Sequence, residues 1–214
     1  MKKMKPKKQN KKTKKFSIKG AGRNSANPEN YYRKPKNRGI KVAIIVGSDS
    51  DLPVIQLTAK ALEDFSIPYS INVASAHRTP KYVKICVRAA EKQGAKLIIA
   101  AAGMSAALPG VIASETTLPV IGIPMEGKSL NGMDALLSIV QMPAGIPVAT
   151  VALGKPGATN AAIVAAEILA LSDSALRNKI SLFRKKLAET IIKKDKILKK
   201  TGIEKYISEA QKKK

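Results

Sequence analysis

Between residues 41 and 171 the sequence alternates between short apolar runs and longer stretches with helical spacing. "KVAIIVG" (41–47) is unbroken, β-branched and ends in glycine; "DLPVIQLTAKALEDF" (51–65) follows with helical periodicity. "YSINVAS" (69–75), "AKLIIAAAG" (95–103), "LPVIGIP" (118–124) and "IPVATVALG" (146–154) predict four further strands. "PKYVKICVRAAEKQG" (80–94), "ALPGVIASET" (107–116), "GMDALLSIVQM" (132–142) and "ATNAAIVAAEILAL" (158–171) predict the helices between and after them. Continuous apolar runs suit strands covered on both faces, and a β–α alternation implies a parallel sheet with helices on both sides. The expected fold is a three-layer, doubly wound α/β sheet of the flavodoxin-like kind, with five core strands in the order 2-1-3-4-5. Punctuation agrees: Asp51 is a candidate N-cap with Pro53 behind it, Pro80 opens the second helix and Gly94 closes it.

Charge divides the chain into three. Residues 1–40 carry net +14, residues 41–170 net +1 and residues 171–214 net +9, out of a total of +24. The pI of about 10.2 therefore describes the ends of the chain, not the central domain. Residues 1–38 are Lys-rich with few large apolar groups, a composition expected to stay disordered. Residues 39–172 form the expected catalytic domain, and 173–214 a basic helical extension with Leu182, Leu187, Ile191 and Ile192 toward one side. That extension is suited either to a neighbouring subunit or to an anionic surface. "KKQNKKTKK" (7–15) lacks interleaved aromatics, so nucleic-acid binding by base stacking is poorly supported. The alanines of 158–171 predict close helix–helix contact in a subunit interface; the simpler reading is tight packing on the chain's own sheet.

One cysteine, Cys86, and one histidine, His77, leave no material for an internal disulfide or a multi-Cys metal cluster, so no metal site is expected. Cys86 reads as a buried apolar residue of the second helix. No apolar run is long enough for a membrane span, and no signal-peptide core lies near the start; a cytoplasmic location is expected, with organellar targeting by the basic segment left open.

In open parallel sheets ligands bind beyond the carboxyl ends of the strands. The corresponding loops hold the unusual residues: "GSDSD" (47–51), "SAHRTP" (75–80), "AAGMSAALPG" (101–110), "PMEGKSLNG" (124–132) and "GKPG" (154–157). Glycines and small hydroxyls at helix N-termini suit an anionic ligand. His77, the one side chain whose ordinary pKa lies near neutrality, falls in the second of these loops. Arg78 beside it can grip a phosphate or carboxylate through two parallel hydrogen bonds. Asp51 can cap the helix, accept from a ribose diol, or do both.

Taken together, "VGSDSD", "ASAHRTP", "LPGVIASETTLPVIGIP" and "SIVQMPAGIPVATVALGKPGATNAA" resemble the 5-(carboxyamino)imidazole ribonucleotide mutase family of purine biosynthesis, over about residues 40–172. The resemblance implies a flavodoxin-like fold, a homo-octamer, and an isomerase that moves a carboxylate from the exocyclic nitrogen to ring C4 without metal or organic cofactor. It also implies a functional partner, the ATP-dependent synthase that makes the carboxyamino substrate. Carried over, Ser48, Asp51, Ser75 and Arg78 bind the ribonucleotide and His77 transfers the proton. Gly103 and Ser105, with the backbone after them, would form a small dry pocket for CO2. Two positions depart from the family pattern: Ala107 replaces a second histidine, and Ala144 stands where arginine is usual. One alternative is a carboxylase that adds CO2 directly to aminoimidazole ribonucleotide, against which "SIVQMP" favours the mutase. Another is a non-catalytic nucleotide- or flavin-binding module; an aromatic content of 4% argues against flavin.

Overall fold

The computed structural model describes residues 39–211; the expectation of disorder for residues 1–38 lies outside the described residues. Five strands form one all-parallel sheet in the order β2-β1-β3-β4-β5, as the alternation predicts. In chain order the elements are β1 (Val42–Val46), α1 (Leu52–Asp64), β2 (Tyr69–Val73), α2 (Pro80–Lys92), β3 (Leu97–Ala102) and α3 (Leu108–Glu115). They continue with β4 (Val120–Pro124), α4 (Met133–Val140), β5 (Ala149–Thr150), α5 (Gly154–Ala170), α6 (Ser174–Thr201) and α7 (Ile203–Gln211).

Successive strand residues face opposite sides, so each central strand feeds two cores. Val42, Ile44 and Val46 of β1 pack under α1, α5 and the start of α6. Ala43 and Ile45 pack under α2, α3 and α4. Every residue of β1, β3 and β4 is buried, which is why those three read as unbroken apolar runs. The two edges behave differently. β2 pairs only with β1, and its Ile71 and Val73 are exposed. β5 shrinks from an expected nine residues to Ala149–Thr150, paired to Ile121 and Gly122 alone. It has a partner on one side only, and Pro147 has no N–H to give a ladder. Among the described residues, no helix is long and apolar enough to cross a membrane.

The alanine-rich helix corrects an expectation. Ala158, Ala161, Ala162, Ala165 and Ala166 are completely buried within the single chain, against α1 and the sheet. The small side chains let α1 and α5 approach closely enough for Thr58 Oγ1 to donate to the carbonyl of Ala158 at 2.7 Å. These alanines are thus covered by the chain's own core and are not available to a neighbouring subunit. The helix also begins at Gly154, four residues before the expected start. Gly157 is indispensable there: a Cβ on it would lie 1.7 Å from the carbonyl oxygen of Ala152.

α6 is docked at its amino end. The Asp173 carboxylate caps it by accepting from the Leu176 N–H at 2.9 Å, Leu176 and Ile180 are buried, and the Phe183 ring meets Phe65 edge-on at 5.6 Å. The apolar stripe of this helix runs Leu176, Ile180, Phe183, Leu187, Ile191. Leu182 and Ile192, expected on the same side as Leu187, fall on other faces at 100° per residue, and all four of these outer residues are exposed.

Candidate active site

The carboxyl ends of β1, β3 and β4 surround a hollow of about 850 Å³ at the rim of the sheet. Four β–α loops, those after β1, β2, β3 and β4, build its walls. After β1 the chain makes a single 3-10 turn, Asp49–Asp51, before α1. Ser48 Oγ caps that turn, accepting from the Ser50 N–H at 3.3 Å and from the Ser50 hydroxyl at 2.8 Å. Asp51, expected to cap α1, makes no side-chain cap bond; its backbone is already helical (φ −86°, ψ −16°) because the 3-10 turn precedes it. Its carboxyl is held above the ordinary carboxylate range, first because burial withdraws it from water and then because Asp49 is close. A hydrogen bond from Ser50 opposes the shift.

The loop after β2 is a knot around Ser75. Ser75 Oγ accepts from the Arg78 N–H at 3.2 Å and from Arg78 Nε at 3.3 Å. Thr79 Oγ1 accepts from the Ser75 N–H and donates back to its carbonyl, closing the turn just ahead of Pro80. Arg78 then reaches across 31 residues, where an NH2 hydrogen meets the carbonyl of Gly47 at 3.1 Å. One guanidinium therefore ties the first ligand loop to the second. His77 stands exposed between these anchors and, among the described residues, makes no hydrogen bond. An imidazole so placed is free to bond a ligand.

The third wall follows β3. Met104 adopts φ +57°, which swings Ser105 into the rim and leaves the Met104 side chain exposed. Gly103 sits against Met125, whose Cβ would be 3.5 Å from an added Cβ. Ala106 and Leu108 are buried beneath, so this wall is dry on its inner side.

The structure thus brings Ser48, Asp51, Ser75, His77, Arg78, Gly103 and Ser105 to one cavity; Ala107 also lines it. Reading the sequence missed the fourth wall. Glu126, Lys128 and Ser129 of the β4–α4 loop, and Asp134 in the first turn of α4, face the same hollow. The "PMEGKSLNG" segment was recognisable as a strand-end loop, but nothing in its composition separates ligand groups from solvated ones. Gly132 makes the approach of α4 possible: it has φ +84°, and a Cβ there would lie 2.6 Å from Leu153 and 3.2 Å from the Met125 carbonyl. Met133, Leu137 and Val140 share one exposed face of α4 at 100° per residue, and Leu130 and Met104 are exposed as well. A second hollow of about 880 Å³ lies at the amino ends of the strands, under Lys41, Lys96 and Lys179. It contains neither the histidine nor any of the other predicted site residues.

Chemically the first cavity offers one unencumbered imidazole, a guanidinium with donors to spare, small hydroxyls and three acidic groups, Asp51, Glu126 and Asp134, near a dry wall. That set suits a proton transfer on a small, anionic, hydroxyl-bearing ligand.

Comparison with known proteins points the same way. The family model described as AIR carboxylase matches residues 41–190. The N5-carboxyaminoimidazole ribonucleotide mutase of Pyrococcus horikoshii is 50% identical over 168 residues, 78% of this chain and 94% of the relative. The phosphoribosylaminoimidazole carboxylase of Saccharomyces cerevisiae is 46% identical over 166 residues, 78% of this chain and 29% of the relative. The crystal structure of Treponema denticola PurE superposes with a TM-score of 0.68 at 33% identity, covering 74% of this chain and 98% of that one.

Proposed function

The chain belongs to the AIR carboxylase family, and from that premise we propose that it is an isomerase of purine biosynthesis. The reaction converts 5-carboxyamino-1-(5-phospho-D-ribosyl)imidazole to 5-amino-1-(5-phospho-D-ribosyl)imidazole-4-carboxylate. The observation that carries this reading is the placement of His77: the one imidazole of the sequence, exposed in the cavity and unbonded, next to an arginine fixed at two points.

The proton inventory follows. An N-carboxylated amine releases CO2 when its nitrogen receives a proton, and His77 supplies that proton. The freed CO2 rests against the dry wall at Gly103 and Ser105, where loss to water is slow. Ring C4 bonds to CO2, and the C4 proton then leaves to the His77 imidazole, which regains its starting state. One group that gives and takes a proton near neutral pH suffices. Arg78 and Ser75 hold the 5′-phosphate, while Ser48 and Asp51 bond the ribose hydroxyls, Asp51 accepting.

A second reading, direct carboxylation of the amine by CO2, is favoured by the similarity to the yeast carboxylase. The two separate cleanly in an assay. The mutase converts the carboxyamino substrate in bicarbonate-depleted buffer; a carboxylase works from the amine only when bicarbonate is supplied. Conversion of neither substrate would refute both readings.

The working form in this proposal is a homo-oligomer, an octamer, located in the cytoplasm. Its partner is the ATP-dependent synthase that supplies the labile carbamate. What supports the assembly is the exposed apolar face of α4, since contiguous apolar patches of this kind mark interaction surfaces.

A further inference from the structure

We propose that the outer half of α6 carries a docking face for the phosphodiester backbone of a nucleic acid, built from Lys185, Lys186, Lys193, Lys196 and Lys200. The inference stands apart from the proposed reaction, and it begins from a stretch of helix that the described residues leave uncovered. Leu176, Ile180 and Phe183 anchor α6 to the domain, but from Arg184 to Lys200 every residue is exposed. At 3.6 residues per turn the five lysines fall within an arc of about 100°. The apolar stripe that docks the helix, continued by Leu187 and Ile191, lies on the opposite side. The lysine face therefore points away from the domain and is open over about 22 Å of helix.

These charges are not satisfied within the chain. Lys199 pairs with Asp195 at 2.9 Å and Arg184 pairs with Glu167, but among the described residues none of the five lysines forms an ion pair. Glu189 is the one acidic residue on the arc. Lys193 and Lys196 stand three apart and Lys196 and Lys200 four apart, so like charges are neighbours, an arrangement that destabilises a helix with nothing packed on it. An extended anion laid along the arc turns that repulsion into attraction. A second copy supplies no such complement, because residues 41–170 carry net +1 and residues 171–214 net +9.

The side on which the apolar stripe lies decides between extended anions. A helix that lies in a lipid surface buries its apolar face. Here that is the face on which the domain sits, so a bilayer seated on Leu187 and Ile191 would run into the domain. A nucleic acid needs only the lysines. Contacts to backbone phosphates supply most of non-specific affinity and require neither aromatic stacking nor base readout, and the arc has no aromatic residue.

The test measures binding of a short labelled RNA strand and a short labelled DNA duplex to the full chain by fluorescence anisotropy, across a series of KCl concentrations. Replacing all five lysines by glutamine, which keeps helix propensity, should weaken both complexes by about 10-fold or more. The slope of log affinity against log salt for the single strand should become shallower by about 3. Replacing the same five by arginine should retain binding, and neither variant should change turnover of the carboxyamino substrate. A third variant, with Lys7, Lys8, Lys11, Lys12 and Lys14 made glutamine, removes equal charge from the other basic end and should lose less. Equal losses in the two glutamine variants would show a response to net charge alone and overturn the proposal. So would a loss confined to RNA or to DNA, tighter binding to phosphatidylserine vesicles than to either nucleic acid, or no binding of either nucleic acid at low salt.

Discussion

Replacing Arg78 by lysine separates a positive charge from a shaped donor. An arginine carries five N–H donors in a rigid fork. In the resting site Nε bonds Ser75 Oγ at 3.3 Å and one NH2 hydrogen bonds the Gly47 carbonyl at 3.1 Å, which leaves three for a phosphate. Lysine keeps the charge but has a single ammonium on a flexible stem, so it can serve the tether or the phosphate, not both. A hydrogen bond to a charged group is worth about 1.5–3 kcal/mol, which corresponds to a KM raised roughly 10- to 150-fold. The tether bonds lie at exposed positions and contribute little to folding, so the melting temperature should move by less than about 3 °C. Once saturated, the variant should retain kcat within several-fold, since no proton passes through the guanidinium. Steady-state kinetics with the carboxyamino substrate, read beside a thermal melt, decide the matter. An unchanged KM, or a collapse of stability with normal KM, would show that Arg78 is a structural strut and not the phosphate anchor.

Other consequences can be checked independently. Burial holds the Asp51 carboxyl above its ordinary range, so its contribution to stability is fully present below about pH 3.8 and is lost as pH rises through the higher folded value. Asp51→Asn should therefore melt higher than wild type at pH 7, by a margin that vanishes at pH 3.5, while substrate affinity falls; a lower melting point at pH 7 would contradict this. Gly157→Ala forces a Cβ into the Ala152 carbonyl and should cost at least about 2 kcal/mol in chemical unfolding, and a neutral outcome would mean the α5 start is laxer than the structure shows. Light scattering should give a mass near eight chains, and Leu137→Glu on the exposed face of α4 should break that assembly. A wild-type monomer with full activity would refute the oligomer.

The strands that read most clearly were those with the most demanding environment. β1, β3 and β4 are buried on both faces, and that condition leaves a continuous apolar signature. β5 read too long because apolar composition says nothing about whether a second strand lies alongside, and Pro147 was the only local warning. The alanines of α5 signalled close packing correctly, but small size does not name the partner, which turned out to be α1. In the site, the loop positions followed from the β–α order alone, and His77 stood out by its uniqueness. The capping role moved from Asp51 to Ser48 because a 3-10 turn intervened, and a three-residue turn has no periodicity to read. The fourth wall was illegible: charged residues in a strand-end loop and in the first turn of a helix are ordinary, and only the cavity sets Glu126, Lys128 and Asp134 apart.

The central claim is that His77 carries both proton transfers, and His77→Asn tests it most directly. The residue is exposed in a loop, and Asn keeps a polar side chain, so the variant should fold, assemble and bind the ribonucleotide as wild type does. Its kcat for the carboxyamino substrate should fall by about 10²- to 10⁴-fold, the range expected for loss of a positioned acid–base group. Turnover within a few-fold of wild type would contradict the account, because another titratable group of the cavity, such as Asp51 or Glu126, would then have to carry the proton.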